Sequence, residues 1–147
     1  MKLIDLANDI YDELGQTGLG IPFIRTWLGN NLGRLNVELN TDFIVSGSDL
    51  ECVPTISGEA ASIYKLLFEE YYYNRQGRSN LGANSYVIES VQEGDTRISV
   101  AKKTDIAKQY QVLAKDTRVI INDKVKLYRL NSAVPQEASS ELITEII

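Results

Sequence analysis

The stretch that decides the fold is Val87 to Ala101, VIESVQEGDTRISVA. Its halves carry β-branched residues and flank the pair Gly94-Asp95, while long helical patterns lie on either side. With Gly94 at the first central position of a tight turn, the positive φ of a type II′ turn costs nothing sterically. Pairing outward from that turn sets Glu93 against Thr96, Gln92 against Arg97 and Val91 against Ile98. Ser90 then faces Ser99, and Glu89 faces Val100. Side chains alternate along a strand, so one face collects Val87, Val91, Ile98 and Val100, and the other Ser90, Gln92, Arg97 and Ser99. A helix would also accommodate Val87, Ile88 and Val91, but Gly-Asp breaks it and TRISV favours a strand. An isolated hairpin is marginal in water. Its apolar face therefore needs cover from the helical body or from a second subunit.

The flanking sequence reads as helices. Leu3, Leu6, Ala7, Ile10 and Leu14 recur at helical spacing, and Gly15 is a natural stop. A second helix spans about Pro22 to Asn40, with Pro22 suited to a first turn. Its stripe is Ile24, Trp27, Leu28, Leu32, Leu35 and Leu39. Gly29 and Gly33 inside it either let another backbone approach or are merely tolerated. Residues 41–57 are turn-rich, with a possible short strand at DFIVS.

Ser57 is placed to cap a third helix, and Glu59 adds a favourable charge near its start. Ala60, Ile63, Tyr64, Leu67, Phe68 and Tyr71 line one face, and an end is expected near Arg75 to Gly77. After the hairpin, a fourth helix is expected from Thr104 to about Tyr128, with a kink near Asn122 and Asp123. Its stripe reads Ile106, Ala107, Tyr110, Leu113, Ala114, Ile120, Ile121, Val125 and Tyr128.

Composition narrows function. The chain has 147 residues, 44% of them hydrophobic, and a formal net charge of −5. That length favours one domain with a real core. No apolar run approaches a membrane span, and the acidic, amphipathic N-terminus is neither a signal nor a transit peptide. One cysteine, Cys52, excludes an internal disulfide framework and suits a reducing compartment; it reads as a small buried or loop residue. Histidine is absent, which excludes Ser-His-Asp and Cys-His nucleophile activation within the chain. Zinc would have to rely on one Cys plus carboxylates. Glu69 and Glu70 are adjacent on a helix and do not face each other. No catalytic residue, metal ligand or cofactor is expected.

Tyr71, Tyr72 and Tyr73 point about 100° apart on a helix, so at least one lies off the core face. They read as a core rim or as a contact with another subunit, where Tyr is enriched. A stacking platform for nucleic acid lacks interleaved basic residues. Trp27 reads as core. Arg97, Lys102 and Lys103 form a small basic cluster, either solvated or facing phosphate or an acidic partner. The C-terminal run ends in Leu142, Ile143, Ile146 and Ile147, either a loose end or an arm that orders on a partner.

The order of parts resembles the head–tail connector proteins of tailed bacteriophages. The resemblance rests on SGEAASIYKLLFEEYYYN, then VIESVQEGDTRISVAKK, then TDIAKQYQVLAKD with Ala107 and Tyr110, and covers residues 57 to 118. The first third matches in helical character alone, and PFIRTWLGNNLGRLN is longer and more aromatic than a minimal adaptor needs.

The expected fold is mainly α: a helical bundle of about four helices with one inserted β-hairpin and an extended C-terminal tail. Residues 1–130 form the helical domain and 131–147 the tail or arm. The resemblance implies a virion neck component between capsid and tail, assembled in the host cytoplasm. It would form a homo-oligomeric, dodecameric ring, with portal protein above and a tail or stopper/terminator protein below. DNA would pass through the lumen without specific binding, and the acidic composition fits a conduit that does not grip it.

Two different patches are needed for a heterologous ring contact. The candidates for one side are the hairpin residues Val91, Glu93, Gly94, Asp95, Thr96, Arg97 and Ile98 with the late aliphatics Leu142, Ile143, Ile146 and Ile147; for the other they are the tyrosines Tyr71 to Tyr73 or the helix containing Trp27. The competing reading is a ring-forming DNA-packaging subunit, small-terminase-like, or a helical DNA-binding regulator. It has only Arg25 and Arg34 on the second helix to offer.

Overall fold

The computed structural model describes residues 1–15, 18–48, 50–82, 91–93, 96–98 and 103–133. The architecture is mainly α. Among the described residues the order is α1 (Leu3–Glu13), α2 (Ile21–Leu39), β1 (Ile44–Ser46), β2 (Glu51–Val53), α3 (Gly58–Gly82), β3 (Val91–Glu93), β4 (Thr96–Ile98) and α4 (Lys103–Ala133). None of these helices is long and apolar enough to cross a membrane. The chain divides into two compact units, residues 1–63 with 122–147, and residues 64–121.

In the first unit, α1 buries Leu3, Leu6, Ala7 and Ile10. Gly15 follows it at φ +65, where any side chain would be strained. In α2 the whole expected stripe is buried: Ile24, Trp27, Leu28, Leu32, Leu35 and Leu39. Added Cβ atoms at Gly29 and Gly33 would meet nothing within 4 Å. These glycines therefore do not serve a close backbone approach; they are tolerated positions in a helix held by packing.

Asn40 ends α2 in the left-handed conformation at φ 56, and the Thr41 amide donates to the Asn36 carbonyl at 3.0 Å. The Asn36 side chain holds the chain that follows. Its Oδ1 accepts from the Phe43 amide at 2.9 Å and from Thr41 Oγ1 at 3.1 Å, and its Nδ2 donates to the Phe43 carbonyl at 2.8 Å.

The turn-rich connection contains an antiparallel hairpin, so the described residues form two hairpins where one was expected. Strands β1 and β2 pair Ile44 with Val53, Val45 with Cys52 and Ser46 with Glu51. Phe43, Cys52 and Ile56 are buried beside or within it. A bridge joins Lys2 to Glu51, the Leu3 amide donates to the Leu50 carbonyl at 3.1 Å, and Lys2 Nζ lies 3.1 Å from Glu51 Oε1. Near the other end of this unit, Arg129 donates from Nε to the Glu38 carbonyl at 2.9 Å and from a terminal nitrogen to the Val37 carbonyl at 3.3 Å. These carbonyls lie in the last turn of α2, where helical partners run out.

Ser57 caps α3 as read from the sequence: its Oγ accepts from the Ala60 amide at 3.2 Å. The helix runs to Gly82 rather than stopping near Gly77. Gly77 is buried inside it because α4 passes close by. A Cβ at Gly77 would stand 3.6 Å from both the Ala107 carbonyl oxygen and Tyr110 Cβ.

Helix α4 is also longer than expected and runs as one helix through Asn122 and Asp123 to Ala133. Its buried residues are Ala107, Ala114, Thr117, Ile121 and Val125. Thr117 satisfies its hydroxyl by donating to the Leu113 carbonyl at 2.8 Å. Leu113 and Ile120, expected in the buried stripe, are exposed.

Candidate functional site

Strands β3 and β4 pair Val91 with Ile98, Gln92 with Arg97 and Glu93 with Thr96. This is the register read from the sequence, and the strands lie between α3 and α4 in chain order. Gly94 and Asp95 at the expected turn lie outside the described residues, as do the outer pairs Ser90–Ser99 and Glu89–Val100. The tail residues Leu142, Ile143, Ile146 and Ile147 lie outside them too.

Tyr71, Tyr72 and Tyr73 of α3 are all half-buried. Tyr71 packs tilted against Phe68 with ring centroids 6.0 Å apart, and its hydroxyl accepts from Arg75 at 3.2 Å. Tyr72 and Tyr73 are neighbours at 5.8 Å. Tyr73 stacks on Tyr110 of α4 at 6.3 Å and 30°. Burial pushes the Tyr73 phenol above its ordinary range, with Glu69, Tyr72 and Tyr110 adding to it. Tyr72 is raised by burial and then by Tyr110. These rings form a rim with one edge packed and one edge wet, as amphipathic aromatics do.

The other polar features of the second unit are structural. Arg118 Nε lies 3.1 Å from Glu70 Oε1, and the Glu70 side chain is only 12% exposed. Glu70 and Arg118 line an open groove of about 580 Å³ with Asn74, Gln111, Ala114 and Lys115. In the first unit, a groove of about 430 Å³ is lined by Glu59, Ser62, Ile63, Lys124, Leu127 and Tyr128. There Lys124 Nζ donates to Ser62 Oγ at 2.7 Å. Neither groove brings a nucleophile and a base together. Cys52 is buried, and burial pushes its thiol up, against the lowering effect of the N-terminal ammonium. A thiol so placed is poorly nucleophilic. Among the described residues no three or more His, Cys, Asp or Glu side chains gather as a metal site.

The feature that the sequence reading missed is the outer side of α4. Val112, Leu113, Val119, Ile120, Leu127 and Leu130 are all exposed on it. The remaining exposed large hydrophobics among the described residues, Met1, Val37, Ile44, Val53 and Leu81, are scattered over other elements. Isolated apolar residues on a surface are ordinary, whereas a run on one face marks an interaction surface. The signal was present in the sequence: α4 has more aliphatic residues than one helical stripe can hold. No family model, no curated protein and no solved structure matches the chain.

Proposed function

We propose that the chain is a structural adaptor of a tailed-bacteriophage neck. It forms a ring that docks on the portal protein, links head to tail, and leaves a channel for DNA. The observation that carries the reading is the antiparallel hairpin β3–β4, which lies between two long helices in chain order, the order of parts on which the connector resemblance rests. The exposed aliphatic run on α4 supports it, because such a face calls for a protein partner. The lack of histidine in the sequence favours a scaffold over a hydrolase or a nucleophilic enzyme. The acidic net charge disfavours tight DNA binding.

The role is tested by mixing the purified chain with portal proteins of tailed phages and imaging the products by electron microscopy. A ring seated beneath a portal is the expected outcome. The variant carrying Val91→Asp and Ile98→Asp is expected to lose the ring while keeping its far-ultraviolet circular dichroism. A chain that never joins a portal or a tail removes the proposal. Salt-sensitive DNA binding in a gel shift would favour the DNA-packaging or regulatory reading instead.

A further inference from the structure

Asp116 occupies an unusual place on α4. On a helix, the surface neighbours of a residue are those three and four positions away. For Asp116 these are Val112, Leu113, Val119 and Ile120, and all four are exposed: 55%, 44%, 59% and 48% respectively. All five residues belong to the second unit. The result is an exposed carboxylate ringed by exposed aliphatic side chains.

The next row around the helix, beyond Val112 and Val119, carries Lys108 and Lys115, seven positions apart and both exposed. Among the described residues Lys108 forms an exposed pair with Asp105 at 3.9 Å, a contact weak enough to exchange. One face therefore presents an acid, an apolar ring and a lysine row side by side.

This pattern complements itself when offset, not when superimposed. Laying the acid of one face on the acid of an identical face buries like charges in an apolar contact, which is costly. Shifting one face by a row sets Asp116 against Lys108 or Lys115 of the other and closes the aliphatic side chains over one another. We infer that this face of α4 is a self-association surface, and that its occupant is the same face of a second copy of this chain. Asp116 of one copy pairs with the lysine row of the next, and Val112, Leu113, Val119 and Ile120 form the apolar contact. The aliphatic contact supplies the affinity, and the charges set the register and exclude the superimposed arrangement.

The experiment is sedimentation velocity on the full chain, over a concentration series to its solubility limit. The wild type is expected to associate. Val119→Ser with Ile120→Ser is expected to weaken association about tenfold or more, as central contact residues do, with an unchanged circular dichroism melt because both residues are exposed. Asp116→Lys alone and Lys108→Glu with Lys115→Glu alone are each expected to be monomeric. Their equimolar mixture is expected to associate. The cation introduced at position 116 of one chain then meets the acids introduced at positions 108 and 115 of the other, while the native Asp116 and lysines remain complementary in the reverse sense.

A wild type that stays monomeric overturns the inference, and so does one that binds lipid vesicles without associating. A serine variant that associates like the wild type, or charge variants that do not rescue each other, does the same. The inference does not rest on the adaptor reading: a contact between the same face on two copies closes as a pair, whereas the ring needs two different patches. An oligomer that ignores portals leaves this contact standing and removes the neck role. A monomer captured by portals removes the contact and leaves the neck role.

Discussion

In α2, six apolar side chains from Ile24 to Leu39 fall near the helical period and every one is buried. The opposite side carries Thr26, Asn30 and Gly33, with Val37 the single large aliphatic exposed there. In α4 the same periodicity appears twice. One row, Ala107, Ala114 and Ile121, is buried, and the row beside it, Leu113, Ile120 and Leu127, is exposed. A helix with one stripe has its partner within the fold, and a helix with two has a face left over. Nor does the larger side chain always win the inner position. In the second unit α4 passes Gly77 so closely that small residues suit the inner row, and Ala107 and Ala114 fill it.

The strongest way to break this comparison is to truncate each row in turn. Leu28→Ala in α2 and Ile121→Ala in α4 remove side chains that are fully buried, and each is expected to cost about 2–5 kcal/mol in chemical denaturation. Ile120→Ala, one residue from Ile121 but 48% exposed, is expected to cost about 0.5 kcal/mol or less in the monomer. Equal costs at 120 and 121 would mean that α4 is rotated from the orientation described.

A smaller effect is expected at the end of α2. Asn36→Ala removes three side-chain hydrogen bonds that hold residues 41 to 43 and leaves the Phe43 amide seeking another partner. A loss of about 1–3 kcal/mol is expected, with faster hydrogen exchange in β1 and β2 than in α1. A hairpin whose exchange does not change would show that its anchoring comes from the Lys2 bridge instead.

The smallest effect sharpens the account of how α2 is held. Gly33 is exposed and a Cβ there meets nothing within 4 Å. Gly33→Ala is expected to raise stability by about 1 kcal/mol through helix propensity alone. A loss on the same thermal melt would show a constraint at this position that the open space does not reveal.

Much of this was legible in the sequence. The α2 stripe could be read residue by residue, because Ile24, Trp27 and the four leucines leave one face that is clearly apolar. The Ser57 cap and the pairing of Val91 with Ile98 are local chemistry, set by a hydroxyl three residues before an amide and by a glycine at a turn. The hairpin β1–β2 was hidden because its strands are three residues long and its anchors are distant: Asn36 on α2 and Lys2 at the N-terminus. The end of α3 was misplaced because Gly77 reads as a breaker, whereas it lies inside the helix where α4 comes close.

The sequence by itself determined that the protein is mainly helical, where α1 and α2 bury their side chains, and in what register the hairpin between α3 and α4 pairs. These follow from periodicity and turn chemistry within a few residues. Only the tertiary structure decided which row of α4 faces inward. Leu113 and Ala114, like Ile120 and Ile121, are adjacent residues about 100° apart, so the period admits either row. The choice was made by the separation of two helix backbones at Gly77, a distance no local pattern encodes. It is the same choice that left Asp116 exposed among four aliphatic side chains.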